Sequence, residues 1–323
     1  MQEFLDFRTD LAIEAREMLS KRISHDIPGV EMVTSTDEDV LITRVDVTNH
    51  EAEKALGKPK GKYITIEAQG IKENIPVLHE KITRLLADEL KIIVDANQHK
   101  TVLVVGLGNR HVTPDALGPK AIEKLFVTRH LGDMLTEEIK NDVCLVCAIA
   151  PGVLGITGME TAEIIQGVVE KVKPDLIIAI DALAAASSKR INTTIQIANT
   201  GIHPGSGVGN KRFGLNEESL GRPVIAIGVP TVIHASTIAM DTINTLKEYA
   251  EFARYFKSLE KLSPTEQQVI VRQILPESLG DLMVTPKEID RLMDDISKII
   301  ASAINEVLHP VINEENISQY LKF

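Results

Sequence analysis

Tryptophan is missing from this chain, and the other large aromatics are scarce, with 4 tyrosines and 7 phenylalanines in 323 residues. Platforms on which nucleic-acid bases could stack are correspondingly few. Lysine and arginine number 35 against 46 aspartates and glutamates, a formal net charge of −11. A chain of that sign is repelled by phosphate backbones, so no direct nucleic-acid binding is expected. No apolar run approaches the ~20 residues that cross a bilayer. The start, MQEFLDFRTD, has no basic region followed by an apolar core. Neither a membrane association nor a leader is expected, and the location is read as cytoplasmic.

Cysteine is nearly absent too, with only Cys144 and Cys147, which leaves no disulfide framework. Their C-x-x-C spacing lies inside the apolar run Val143–Ile149. In an extended strand, residues three apart point to opposite faces, so two buried core thiols are expected rather than a redox pair or a zinc site. Neither G-x-S-x-G nor H-E-x-x-H occurs, which removes the serine elbow and the helical zinc motif.

What the chain has is a hydrophobic fraction of 44% and a charged fraction of 25%, enough apolar matter for a large globular core. Its centre is Thr101–Pro119, TVLVVGLGNRHVTPDALGP. Val102–Val105 reads as a buried strand, and Gly106-Leu107-Gly108-Asn109 permits a sharp turn. Thr113-Pro114 reads as the cap and first position of a helix, which places Asp115 in its first turn. A second apolar run, Leu176–Ile180, ends at Asp181. Strands that each deliver an aspartate to one sheet edge can bring two carboxylates together. One then keeps its proton while the other acts as a base towards water.

The glycine turn is not a dinucleotide fingerprint, because His111 stands where a third glycine belongs. No cofactor is expected. His203, in the glycine-rich stretch Thr193–Asn210, and His111 could complete a metal site with the two aspartates. Lone loop histidines are more commonly just solvated, and no metal is assigned. The alternative retained is a metal-dependent peptidase, or a non-catalytic metal-binding module, built on Asp115, Asp181 and His203.

Around this centre the spacing predicts a helix over Leu11–Leu19 and β-structure from about Val30 to Gly70, with Gly57–Gly61 as the turn between strands. A helix is expected over Val77–Ala96. Strands at Val102, Val143, Leu176 and Val224 then alternate with helices from Pro114, over Glu160–Val172 and from His234 to about Phe256. The capping-box pattern Thr285–Glu288 opens a last helix towards Ile304. The fold class expected is α/β: a mostly parallel central sheet with helices on both faces (phosphorylase/hydrolase-like), a β-rich N-terminal part and a helical C-terminal segment.

Five stretches, VGLGNRHVTPDALGP, APGVLGITGMET, PDLIIAIDALAA, NTTIQIANTGIHPGSGVGNKR and VIAIGVPTVI, together resemble the germination proteases of spore-forming bacteria. The resemblance extends from Arg8 to MVTPKEID at Met283–Asp290. It implies an endopeptidase acting on small acid-soluble spore proteins, an atypical aspartic-type mechanism, a homotetramer in the spore core, and a fold akin to the hydrogenase-maturation peptidases. Asp115 and Asp181 fall on the family's two functional aspartates, with Gly108, Asn109 and His203 as possible site-lining residues. The resemblance also implies a self-processing zymogen. Thr9-Asp10-Leu11-Ala12-Ile13-Glu14 is similar to the motif cut in the family's substrates, which places self-cleavage between Asp10 and Leu11. The division expected is a pro-segment 1–10, a catalytic domain 11–260, and a helical segment 261–323 packed on it.

Overall fold

Strands buried on both faces need apolar side chains at every position, and that is what the run Val102–Val105 supplies. In the computed structural model, which describes residues 10–20, 27–94, 101–132, 143–203, 214–248 and 282–312 with Glu266 and Ile270, Val102 and Val104 enter one core cluster and Leu103 and Val105 another. They belong to β4 (Thr101–Gly106), flanked by β6 and the edge strand β5 in a nine-stranded sheet ordered β1-β2-β3-β7-β8-β6-β4-β5, with β9 paired to β8. The other strands are β1 (Val30–Asp37), β2 (Val40–Val47), β3 (Gly61–Ala68), β5 (Leu145–Ile149), β6 (Leu176–Ala185), β7 (Thr194–Ala198), β8 (Val224–His234) and β9 (Met283–Val284).

The four strands expected to run parallel do so: β4 pairs β5 and β6, and β6 pairs β8. The β-rich N-terminal part continues the same sheet antiparallel, through β3 on β7 and β7 on β8. The sheet as a whole is therefore mixed.

Helices cover both faces. The described helices used here are α1 (Ala12–Ser20), α2 (His50–Leu56), α3 (Pro76–Ile93), α4 (Leu117–Ile122), α5 (Thr161–Val172), α6 (Ala235–Glu248) and α7 (Ile289–Leu308). α3, α4 and α7 bury Ile82, Leu86, Leu117, Ile296 and Ile300 against one face. α5 buries Ile165 and Val169 against the other. The continuation of the expected helix beyond Glu248 lies outside the described residues.

Three local expectations change. α2 stands between β2 and β3, where only a turn was expected. Asn49 caps it, accepting from Ala52 N–H at 2.8 Å, and Gly57 closes it in the left-handed region at φ 63°. Seven residues are too few to show helical periodicity, so the caps carry the signal. Thr113-Pro114-Asp115 forms its own 3-10 turn without a side-chain cap bond, and α4 starts only at Leu117. Thr285 does not cap α7, because its hydroxyl donates to Thr231 O at 2.9 Å. The short β9 draws that residue to β8, and the helix begins at Ile289.

The C-terminal end of α7 is fastened to the chain leading into β5. Asn305 Oδ1 accepts from Phe126 N–H at 2.9 Å, Asn305 Nδ2 donates to Lys124 O at 3.1 Å, and His309 Nε2 meets Phe126 O at 3.0 Å. His309 is 1% exposed. Burial pushes its imidazole down from 6.5 to about 4. Between those values the unfolded chain binds the proton and the folded chain does not, so stability falls as pH drops through the window, by up to about 3 kcal/mol. The urea midpoint should therefore fall more steeply between pH 7 and 4.5 in the parent than in His309→Phe; parallel curves would contradict this.

Candidate active site

The order of the sheet reverses at β4: β5 lies on one flank, and the chain returns to place β6 on the other. In open α/β sheets the crevice beyond the carboxyl ends of such strands is where sites form. β6 outruns β4 there. Gly106, the last residue of β4, pairs with Ile180, and the next residue of β6 is Asp181. The strand itself continues to Ala185. Asp181 therefore stands mid-strand rather than at a strand end. The apolar run stops at Ile180 because β4 stops beside it.

Asp115 reaches the same crevice from the turn after β4. Gly108 makes this possible: its φ is +107°, and a Cβ there would lie 2.0 Å from Asp115 O. Asn109 N–H donates to Asp115 Oδ2 at 2.7 Å. Thr231 Oγ1, from β8, donates to Pro114 O at 2.6 Å and ties the turn to the sheet. Gly108 and Asn109 thus set where the Asp115 carboxylate sits, and His111 N–H donates to Asn109 Oδ1 at 3.0 Å to shape the same turn.

Asp181 is 6% exposed. Burial pushes its carboxyl well above the ordinary 3.8; the charges of Asp115 and Asp10 push it further, and the Ala182 N–H, 2.9 Å from Oδ1, pulls weakly the other way. Asp115 is half-buried and accepts a backbone N–H from Asn109.

A third carboxylate, Asp10, was not foreseen at this edge. Ala184 N–H donates to its Oδ2 at 3.2 Å. Its backbone carbonyl accepts from Lys58 Nζ at 2.9 Å and from Gln196 Nε2 at 3.1 Å. Lys58 belongs to the Gly57–Gly61 stretch, whose composition signals only a turn. Gln196 sits in β7 as the polar residue of an apolar strand, and nothing local marks it.

His203 is placed differently. It follows the bridge Ile202–Leu215, and its charged neighbour is Lys58. Among the described residues no three His, Cys, Asp or Glu side chains are grouped so as to hold a metal. Cys144 and Cys147 form no disulfide, and their side chains join clusters on opposite faces of the sheet. Burial pushes the Cys144 thiol up to about 11 and raises Cys147 as well, so neither is a ready nucleophile at neutral pH. Among the described residues no helix is long and apolar enough to cross a membrane.

Comparison with known proteins decides the family. A profile described as germination protease matches residues 9–264 and 251–321. The chain belongs to the germination protease family. It is 48% identical to the germination protease of Clostridium tetani, over 98% of this chain and 100% of that one. Identity to the germination protease of Bacillus subtilis is 42%, over 97% and 96%. Among solved structures, the [NiFe] hydrogenase maturation protease HycI of Thermococcus kodakarensis is similar at a TM-score of 0.33 and 18% identity, covering 69% of this chain and 98% of that one. A germination protease hydrolyses peptide bonds, and the crevice with Asp115 and Asp181 is the candidate place for that chemistry.

The raised Asp181 carboxyl has a consequence for stability. Its folded value lies above its unfolded one, so the folded chain binds the extra proton between them and stability declines as pH rises through that window. Asp181→Asn removes the titration. Its stability relative to the parent should therefore rise from pH 4 to pH 8 in urea unfolding, and a difference independent of pH would contradict the assignment.

Proposed function

We propose that this germination protease hydrolyses small acid-soluble spore proteins in the spore core, with Asp115 and Asp181 as the acid/base pair that acts on water. The observation that carries the proposal is the asymmetry of the two carboxyls. Asp181 is buried, and burial and the Asp115 charge push its carboxyl well above 3.8, while Asp115 is more open and accepts a backbone N–H. Asp115 then takes the proton of the attacking water, and Asp181 supplies a proton to the leaving amide nitrogen. Such a pair needs neither a serine nor a cysteine nucleophile. His203, beside Lys58, has no ligand role in this reading.

The chain is also proposed to be a zymogen that cuts itself between Asp10 and Leu11, releasing the pro-segment 1–10 from the α/β body 11–260 and its C-terminal segment 261–323. Support comes from what surrounds the bond. Leu11 is 0% exposed and packs with Ile13 and Leu183, with Ile202 alongside. The Glu14 carboxylate accepts from Ala186 N–H at 3.0 Å. A substrate segment with the same alternation of acidic and apolar side chains would meet the same partners. The assembly proposed is a homotetramer. The exposed strand β1, with Met32 39% and Val33 62% exposed, offers a surface for such contacts.

Sequencing the N-terminus of the incubated full chain tests both parts. The parent should acquire Leu11 as its first residue. Asp115→Asn and Asp181→Asn, each folded, should convert about two to four orders of magnitude more slowly, the usual effect of losing a general acid or base. A new terminus elsewhere, or parent-like conversion by either variant, would overturn the proposal.

A further inference from the structure

The carbonyl of Asp10 is held more elaborately than a helix start requires. Two side chains from separate parts of the sheet region donate to its one oxygen: Lys58 Nζ at 2.9 Å and Gln196 Nε2 at 3.1 Å. The same Gln196 accepts from Ala12 N–H through Oε1 at 2.7 Å. One amide therefore grips the main chain on both sides of Leu11 and leaves the Asp10–Leu11 peptide bond stretched between its two contacts.

The sheet register brings this grip to the aspartates. Gln196 pairs with Gly228, and Gly228 pairs with Asp181. Residues in register across adjacent strands share a face, so Gln196 and Asp181 rise on the same side with a glycine between them. A Cβ at Gly228 would come within 2.4 Å of the Leu183 side chain, and Leu183 is the residue on which Leu11 packs. The missing side chain gives Leu183 its room over Gly228, and the segment Asp10–Ala12 rests on it through Leu11. Asp181 senses the Asp10 charge directly.

Lys58 is held in place by its loop. Gly57 ends α2 in the left-handed conformation, and Tyr63 Oη donates to Pro59 O at 2.7 Å on the far side. Burial lowers the Lys58 ammonium below the ordinary lysine value, against the opposing pull of Asp10 and Glu14. A buried ammonium aimed at a carbonyl oxygen stabilises negative charge on that oxygen far more than one in water does.

The geometry points to Lys58 and Gln196 as the oxyanion-binding pair of the reaction, two catalytic residues that polarise the scissile carbonyl and hold the charge that forms on it. This rests on the reading that the Asp10–Leu11 bond is cut. Water adds its OH to the Asp10 carbonyl carbon while its proton passes to Asp115. The carbonyl oxygen becomes an oxyanion between Lys58 Nζ and Gln196 Nε2. On collapse the C–N bond breaks, and Asp181 gives its proton to the Leu11 nitrogen. Return of the proton from Asp115 to Asp181 restores the pair. A substrate bound in trans would place its own acidic residue's carbonyl on the same two donors, with its carboxylate in the place of the Asp10 charge that acts on Lys58.

The test is the first-order rate of Leu11 appearance in the full chain, followed by mass spectrometry, with folding checked by circular dichroism. Lys58→Met keeps the length of the side chain and removes the donor; Gln196→Leu does the same for the amide. Each should slow scission about 10²–10³-fold, the range for loss of one oxyanion donor. The cut should stay at Leu11. Lys58→Arg, which keeps a charged donor, should recover most of the loss and extend scission to higher pH than the parent, because a guanidinium does not lose its proton there. A merely structural Lys58 would leave that pH profile unmoved. Folded Lys58→Met and Gln196→Leu chains that cut at the parent rate would overturn the oxyanion assignment and leave self-cleavage standing. A parent chain that never yields Leu11 would overturn both.

Discussion

Everything at the crevice depends on one constraint: Asp181 is a carboxyl buried within a strand of apolar neighbours. An ionised carboxylate there would lack the solvation it has in water, and a second carboxylate beside it adds repulsion. Both effects push the Asp181 carboxyl well above its ordinary 3.8 and so favour its protonated form. In the proposed reaction that proton makes Asp181 the acid and leaves the base role to Asp115. The mismatch in strand length makes the position possible. Had β4 continued one residue further, Asp181 would pair on both flanks, and the turn bearing Asp115 could not fold back beside it.

The N-terminal segment is fixed over the crevice by a second set of charges. Arg190 bonds Glu17 of α1 through Nη2 at 2.6 Å and Glu67 of β3 through Nε at 2.8 Å, with Glu14 3.6 Å from Nη1. Buried ion pairs contribute little net stability, but they discriminate strongly between alternative placements, because an unpaired partner is costly. The consequence here is positional. α1 cannot slide by a residue without uncoupling these carboxylates, and its register determines which peptide bond lies on Lys58 and Gln196.

The parallel core is legible in the sequence because burial on both faces writes uninterrupted apolar runs at Val102–Val105 and Leu176–Ile180. Asp181 is legible for the same reason, since it breaks the apolar run of β6, and Asp115 is legible through the Thr-Pro turn that carries it after β4. The antiparallel extension reads through its alternation at Val40–Val47. What does not read is whatever depends on pairing across the sheet. Gln196 looks like an ordinary polar residue of a strand until its register with Gly228 and Asp181 is known. Lys58 looks like a turn lysine because its acceptor, the Asp10 carbonyl, lies 48 positions away. Thr285 carries a capping pattern that a tertiary bond to Thr231 overrides.

The protonation state of Asp181 tests the central claim most directly. Carbon-13 spectra of the protein labelled at aspartate side chains, followed across pH, report that state for the folded chain. The Asp181 carboxyl should ionise well above the ordinary 3.8, and its titration should move to lower pH in Asp115→Asn, where one of the two neighbouring charges is gone. An Asp181 that ionises near 3.8, or whose titration ignores Asp115, would contradict it.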